Sequence, residues 1–137
     1  MALRKDAKID LIKQVPLFAQ CSRKELAEVA SIADEIDLPA GKELIREGGR
    51  GREFFVLLDG TVDVQKDGRR IRELKGGDFF GEIALVSDAP RTATVTTSSP
   101  VRALVVTDRS FRSLLRHSPS IQLKVLQALA DRLTDTV

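Results

Sequence analysis

All nine glycines of this 137-residue chain fall between Gly41 and Gly81. Glycine weakens helix and strand interiors and is favoured where a turn needs positive φ, so its clustering confines the turn-rich part of the fold to the middle of the chain. The segments before and after carry apolar residues at helical spacing. The chain therefore reads as helical flank, glycine-punctuated middle and helical tail, an α+β arrangement. Its length is close to the ~150 residues of one domain, and 42% hydrophobic residues can supply a core without disulfides or metal.

In the first flank, Ser22 followed three residues later by Glu25 is a capping-box signal. Leu26, Val29, Ala30 and Ala33 repeat at helical spacing, which predicts a helix over 23–34. Ile9, Leu11 and Ile12 indicate a shorter helix broken at Pro16, whose ring removes a backbone donor, with Leu17 and Phe18 pinning the turn to the core. In the tail, Asp108 is the expected N-cap of a helix carrying Phe111, Leu114 and Leu115 that ends near Ser118-Pro119. A last helix follows. Ile121, Val125, Leu129 and Leu133 are spaced by four, and Leu126 and Ala130 widen the stripe into a broad apolar face.

The middle alternates short β-rich runs with turn chemistry, the pattern of an antiparallel sandwich or barrel. Residues 53–58 are strand-like, Asp59-Gly60 has the composition of a type I′ turn, and Val62 and Val64 alternate with polar neighbours, which predicts a hairpin there. Asp67-Gly68 repeats that signal before 71–74, and Gly76-Gly77-Asp78 breaks the chain again. Two further strands are expected over 92–97 and 101–106, separated by Ser98-Ser99-Pro100.

Charge and ligand-type counts exclude several functions. Twenty-two basic against 20 acidic residues leave a net +2, too small a field to attract nucleic acid or an anionic membrane, so any anion must be met locally. One Cys and one His remove disulfides within the chain and most metal sites built from paired thiolates or imidazoles. Cys21 in a chain without an apolar N-terminal signal region fits a reducing, cytoplasmic setting. His117 ends a predicted helix, where an imidazolium suits the carbonyl end. Lys66, Arg69, Arg70, Arg72 and Lys75 fall on a hairpin and read as a solvated edge that discourages strand pairing.

The segment that points to chemistry is Phe79-Phe80-Gly81-Glu82-Ile83-Ala84-Leu85, followed by Pro90-Arg91-Thr92-Ala93-Thr94-Val95. Gly81 permits close backbone approach, and 82–86 can form one helical turn whose first N–H groups favour an anion. Arg91 lies nine residues past Glu82 and just before a β-rich run, so it can return to the mouth of that turn. A guanidinium fork matches two phosphate oxygens. Glu82, an acceptor, suits a sugar hydroxyl instead. One acid and one base then read two ends of a sugar phosphate.

These residues resemble the cyclic-nucleotide-binding domain family, of the catabolite activator protein and protein kinase A regulatory subunit type, whose phosphate-binding cassette reads Phe-Gly-Glu, aliphatic, Ala, then an Arg-Thr/Ser/Ala-Ala-Thr/Ser-Val run. Val15-Pro16-Leu17-Phe18, Pro39-Ala40-Gly41, Glu47-Gly48, Gly51, Phe55-Val56, Gly60 and Gly76-Gly77-Asp78-Phe79 match further family positions in order, so the resemblance covers nearly the whole chain. It implies an eight-stranded antiparallel β-roll of jelly-roll type over 36–107, with the cassette at 79–95, N-terminal helices over 1–35, and a hinge and lid helix over 108–137. It further implies that Glu82 binds the ribose 2′-hydroxyl, Arg91 the cyclic phosphate, and the backbone N–H groups of Ala84 and Thr92 the phosphate oxygens. Gly81 makes room for the ribose, and Ile83 and Ala93 complete the ligand-binding set. The expected ligand is cAMP, with cGMP second because a hydroxyl at Thr92 can contact guanine. No other cofactor and no metal are expected.

Two features depart from the family pattern. Members that bind DNA continue into a helix-turn-helix domain, whereas this chain stops at Val137, so no direct DNA binding is expected and the output passes to an effector protein in trans. The family's lid often supplies an aromatic cap for the base, yet the last aromatic here is Phe111. The candidate caps are therefore Leu126, Leu129, or Arg132 by cation–π contact. Competing readings are an enzyme and a vestigial module. A cupin site needs several His ligands and a serine hydrolase needs Gly-x-Ser-x-Gly, and the sequence holds neither. A cyclic-nucleotide fold with an inert pocket would serve as a protein-interaction module, pairing its last helix with a partner or in a homodimer.

Overall fold

The computed structural model describes residues 4–135, with side chains placed through Asp131. It forms two compact units, one running Asp34–Arg109 and the other drawn from the helical residues before and after.

The first unit is an antiparallel β-roll of eight strands: β1 (Asp34–Leu38), β2 (Glu43–Ile45), β3 (Glu53–Asp59), β4 (Thr61–Lys66), β5 (Arg69–Lys75), β6 (Phe79–Phe80), β7 (Thr94–Thr97) and β8 (Val101–Thr107). They form two four-stranded sheets, ordered β1-β8-β3-β6 and β2-β7-β4-β5. Inward side chains of both sheets share one core, with Phe55, Leu57, Phe80 and Ala103 from the first meeting Val62, Val64, Leu74 and Val95 from the second. The period-2 alternation of β4 is visible directly, Val62 and Val64 buried and their neighbours half-buried.

Two turns of similar composition behave differently. Asp67 (φ 53) and Gly68 (φ 77) are both left-handed, as a type I′ turn requires, and close the β4–β5 hairpin. At Asp59-Gly60 only Gly60 has positive φ, at 92. The hairpin expected there does not form, because β3 and β4 belong to opposite sheets. Gly60 is instead a crossover point, where a Cβ would collide with the Pro100 carbonyl oxygen.

The second unit contains α1 (Lys5–Lys13), a 3-10 turn (Pro16–Phe18), α2 (Arg23–Ser31), α3 (Asp108–His117, whose first two residues belong to the roll) and α4 (Pro119–Asp135). The capping box of α2 is present in full: Ser22 Oγ accepts from Glu25 N at 3.2 Å, and Glu25 Oε1 accepts from Ser22 N at 2.7 Å. The helix stops at Ser31 rather than at 34, since Asp34 is drawn into pairing with Val105. Phe18 and Phe111, both fully buried, meet edge to face at 5.7 Å. The carboxylate of Glu25 also ties α2 to α4, receiving Lys124 Nζ on the same Oε1 at 2.5 Å.

On α4 Ile121 and Val125 of the expected stripe are buried, but the third buried residue is Ala128, and Leu126 and Ala130, expected to widen the face, are exposed. At 3.6 residues per turn a run of fours drifts around the helix. Leu126 is 63% and Leu123 56% exposed, Leu129 is half-buried, and the side chains of Arg132 and Leu133 lie outside the described residues. No helix among the described residues is long and apolar enough to cross a membrane.

Candidate functional site

The cassette is positioned by β6. Phe80 pairs with Phe55 and Phe79 with Val56 across the ladder. Phe55 and Phe80 stack at 5.1 Å, while Phe54 and Phe79 meet edge to face at 6.3 Å. Beyond Phe80 the chain turns at Gly81, whose φ of 83 and ψ of 11 lie in the left-handed region that disfavours a Cβ. One turn of 3-10 helix, Glu82–Leu85, follows. Its register buries Ala84 and Leu85 and turns Ile83 and Val86 toward solvent. Glu82 is also buried, at 9% exposure.

Arg91 returns to this turn. Its backbone is locked to the loop after β2 by two hydrogen bonds of 2.8 Å, Gly48 N to Arg91 O and Arg91 N to Gly49 O. Three residues further on, Thr94 Oγ1 accepts from Glu47 N at 2.9 Å. The guanidinium is folded inward. Nη1 donates to Gly81 O at 3.2 Å and Nη2 to Glu53 O at 2.5 Å. Its Nε is buried with no hydrogen-bond partner. Burial pulls the Arg91 pKa down, while the negative charges of Glu53 and Glu82 oppose that pull. An arginine stays protonated in either case, so the roll holds a fixed, partly dehydrated cation next to a buried carboxylate.

Gly81, Glu82, Ala84 and Arg91 therefore share one neighbourhood. Ile83 lies on its solvent side, Thr92 is exposed immediately after Arg91, and Ala93 packs half-buried on the core. The Ala84 N–H, expected to face an anion, points to Gly81 O at 3.2 Å. Leu126 and Leu129 belong to the helical unit, and the Arg132 side chain falls outside the described residues. Sequence reasoning missed the Gly81 and Glu53 carbonyls that receive Arg91 and the Gly48-Gly49 backbone that locks it. Backbone acceptors carry no residue signature, and the Glu47-Gly48 and Gly51 turn positions were the only traces of that loop.

A family model described as "Cyclic nucleotide-binding domain" matches residues 35–118. The chain is 36% identical over 107 residues to a cAMP-dependent protein kinase regulatory subunit of Eremothecium gossypii, covering 77% of this chain and 23% of that protein. It thus spans about a quarter of the length of such curated relatives. Among solved structures, the N-terminal domain of a transcriptional regulator from Streptomyces coelicolor A3(2) superposes with a TM-score of 0.84 at 30% identity, covering 93% of this chain and 94% of the other. The regulatory domain of Toxoplasma gondii PKA, co-crystallised with cAMP, gives 0.73 at 32% identity over 80% of this chain and 44% of that one.

Proposed function

The chain belongs to the cyclic nucleotide-binding domain family, and from that premise we propose that it is a non-catalytic sensor holding a cyclic mononucleotide, cAMP before cGMP, at the Arg91 cassette. The observation that carries this reading is the pairing of an inward-folded Arg91 with a buried Glu82 on either side of a left-handed Gly81. A cyclic phosphate brings one negative charge and two free oxygens. Arg91 now donates to two neutral carbonyls, and a charged oxygen is a stronger acceptor. A hydrogen bond to a charged group contributes about 1.5–3 kcal/mol in all, and the phosphate makes the acceptor ionic as well as the donor. Much of the guanidinium's desolvation is already incurred in the folded chain, which lowers the cost of binding. Glu82 accepts the ribose 2′-hydroxyl, Gly81 and Ala84 line the sugar, Ile83, Thr92 and Ala93 complete the wall, and the exposed Thr92 hydroxyl is the group through which guanine would be accepted.

In this reading α3 and α4 relay occupancy to an effector protein in the cytoplasm, with Leu126 or Leu129 covering the base. The relay can be no larger than the difference in nucleotide affinity between the two positions of α4. Two exposed leucines on α4, Leu123 and Leu126, favour the second reading, a protein-interaction module with an inert pocket that pairs through this helix, as a homodimer or with another protein. A calorimetric titration with cAMP, cGMP and 5′-AMP separates the two. One-to-one heats with the cyclic nucleotides, cAMP tighter and 5′-AMP far weaker, are expected. Sedimentation showing a dimer indifferent to nucleotide, with no heat from any of the three, would replace the sensor by the module.

A further inference from the structure

Six of the nine glycines have positive φ, and Gly51 is not one of them. Its φ lies outside the left-handed range that favours glycine, so what a side chain would meet there is a matter of space. What fills that space is Arg91. A Cβ at residue 51 would overlap Nε, Cζ and Nη2 of the Arg91 guanidinium, and no other atom is among its three nearest neighbours. The guanidinium lies on bare backbone at residue 51, with its terminal nitrogens fixed by the carbonyls of Gly81 and Glu53. Gly81 forms a second wall, where an added Cβ would come within 2.9 Å of Nη1.

We infer that Gly51 is the positioning residue of the nucleotide site: its missing side chain is the slot that keeps the Arg91 guanidinium folded inward at the cassette. This rests on the proposed sensor role only for its consequence in affinity; the slot itself is a property of the fold. A methyl group at residue 51 displaces the end of a flexible side chain rather than backbone, so Gly51→Ala folds while Arg91 is expelled. The loss of cyclic-nucleotide affinity then matches that of Arg91→Ala, tenfold to hundredfold.

The decisive comparison is a cycle of the parent, Gly51→Ala, Arg91→Ala and the double variant, read by urea denaturation, cAMP titration and the Arg91 Nε–Hε NMR correlation. In Gly51→Ala the Arg91 correlation moves to the position of a solvent-exposed arginine and its protection from exchange disappears. In the Arg91→Ala background the same substitution leaves stability and affinity unchanged, since the slot is vacant. An unmoved Arg91 correlation in Gly51→Ala would overturn the inference, whatever happens to binding. If Gly51→Ala fails to fold, rescue by Arg91→Ala supports the slot, and failure in both backgrounds refutes it. A displaced Arg91 with no nucleotide bound by the parent would leave the slot standing and remove the sensor role.

Discussion

The contact between Glu25 and Lys124 lends itself to a quantitative test. Burial pushes the Glu25 carboxyl up, but hydrogen bonds from Lys124, Ser120 and Ser22 overrule it and bring it from 4.5 to about 2. At ~1.4 kcal/mol per pH unit, that drop sets a ceiling of about 3.5 kcal/mol. The Glu25 side chain is 8% exposed but that of Lys124 is 31% exposed, so water screens the pair from its cationic side. Discounting for screening leaves about 1–2 kcal/mol of coupling. A carboxyl depressed on folding contributes in full above its unfolded value near 4.5, and the contribution is lost as pH falls through about 2.

The perturbation is a double-mutant cycle of Glu25→Gln and Lys124→Met, which removes each charge with little change in volume. Urea denaturation near neutral pH should return a coupling of about 1–2 kcal/mol. Lys124→Met alone should cost more than the coupling, since it strands a buried carboxylate. On acidification below about pH 4.5 the parent should lose stability faster than the double variant. A coupling indistinguishable from zero, with parallel acid profiles, would show that Lys124 does not hold the Glu25 carboxyl down.

Gly81→Ala forces a Cβ into left-handed backbone and to 2.9 Å from Glu53 O; a loss of about 1–2 kcal/mol in urea denaturation is expected from the dihedral alone, and unchanged stability would contradict the geometry. Cys21 is pushed up to about 11, by burial first and by the Glu25 charge second, against the pull of Lys124. Its thiol should therefore react with a disulfide reagent at mildly alkaline pH far more slowly in the native state than in urea, and equal rates would show it accessible. Leu126→Ser should leave stability unchanged, because the side chain is 63% exposed; a simultaneous fall in nucleotide affinity is expected if α4 covers the base, and unchanged affinity would remove Leu126 from the lid.

Features set by local chemistry were legible in the sequence. Ser22 and Glu25 form their capping box because both donors and both acceptors lie within one turn. Asp67-Gly68 makes its hairpin because both residues tolerate positive φ. Asp59-Gly60 has the same composition and a different fate, since a dipeptide does not encode whether the next strand returns to the same sheet or crosses to the other. Strand β1 is the pentapeptide Asp-Glu-Ile-Asp-Leu, whose three acids hide it until pairing with β8 makes it a strand. At the site, the side-chain types of Glu82 and Arg91 at their spacing suggested a sugar phosphate. The acceptors that hold Arg91 are carbonyls, and its slot is an absent methyl at residue 51. Neither leaves a pattern that periodicity or composition can detect.

The central claim is that Arg91 supplies the charge that holds the nucleotide phosphate. Calorimetry of the parent and Arg91→Ala with cAMP tests it directly. One-to-one binding by the parent is expected, with a tenfold to hundredfold weaker affinity in the variant from about 1.5–3 kcal/mol of lost charge-assisted bonding and the fold intact. Equal affinities in two equally folded proteins would contradict it.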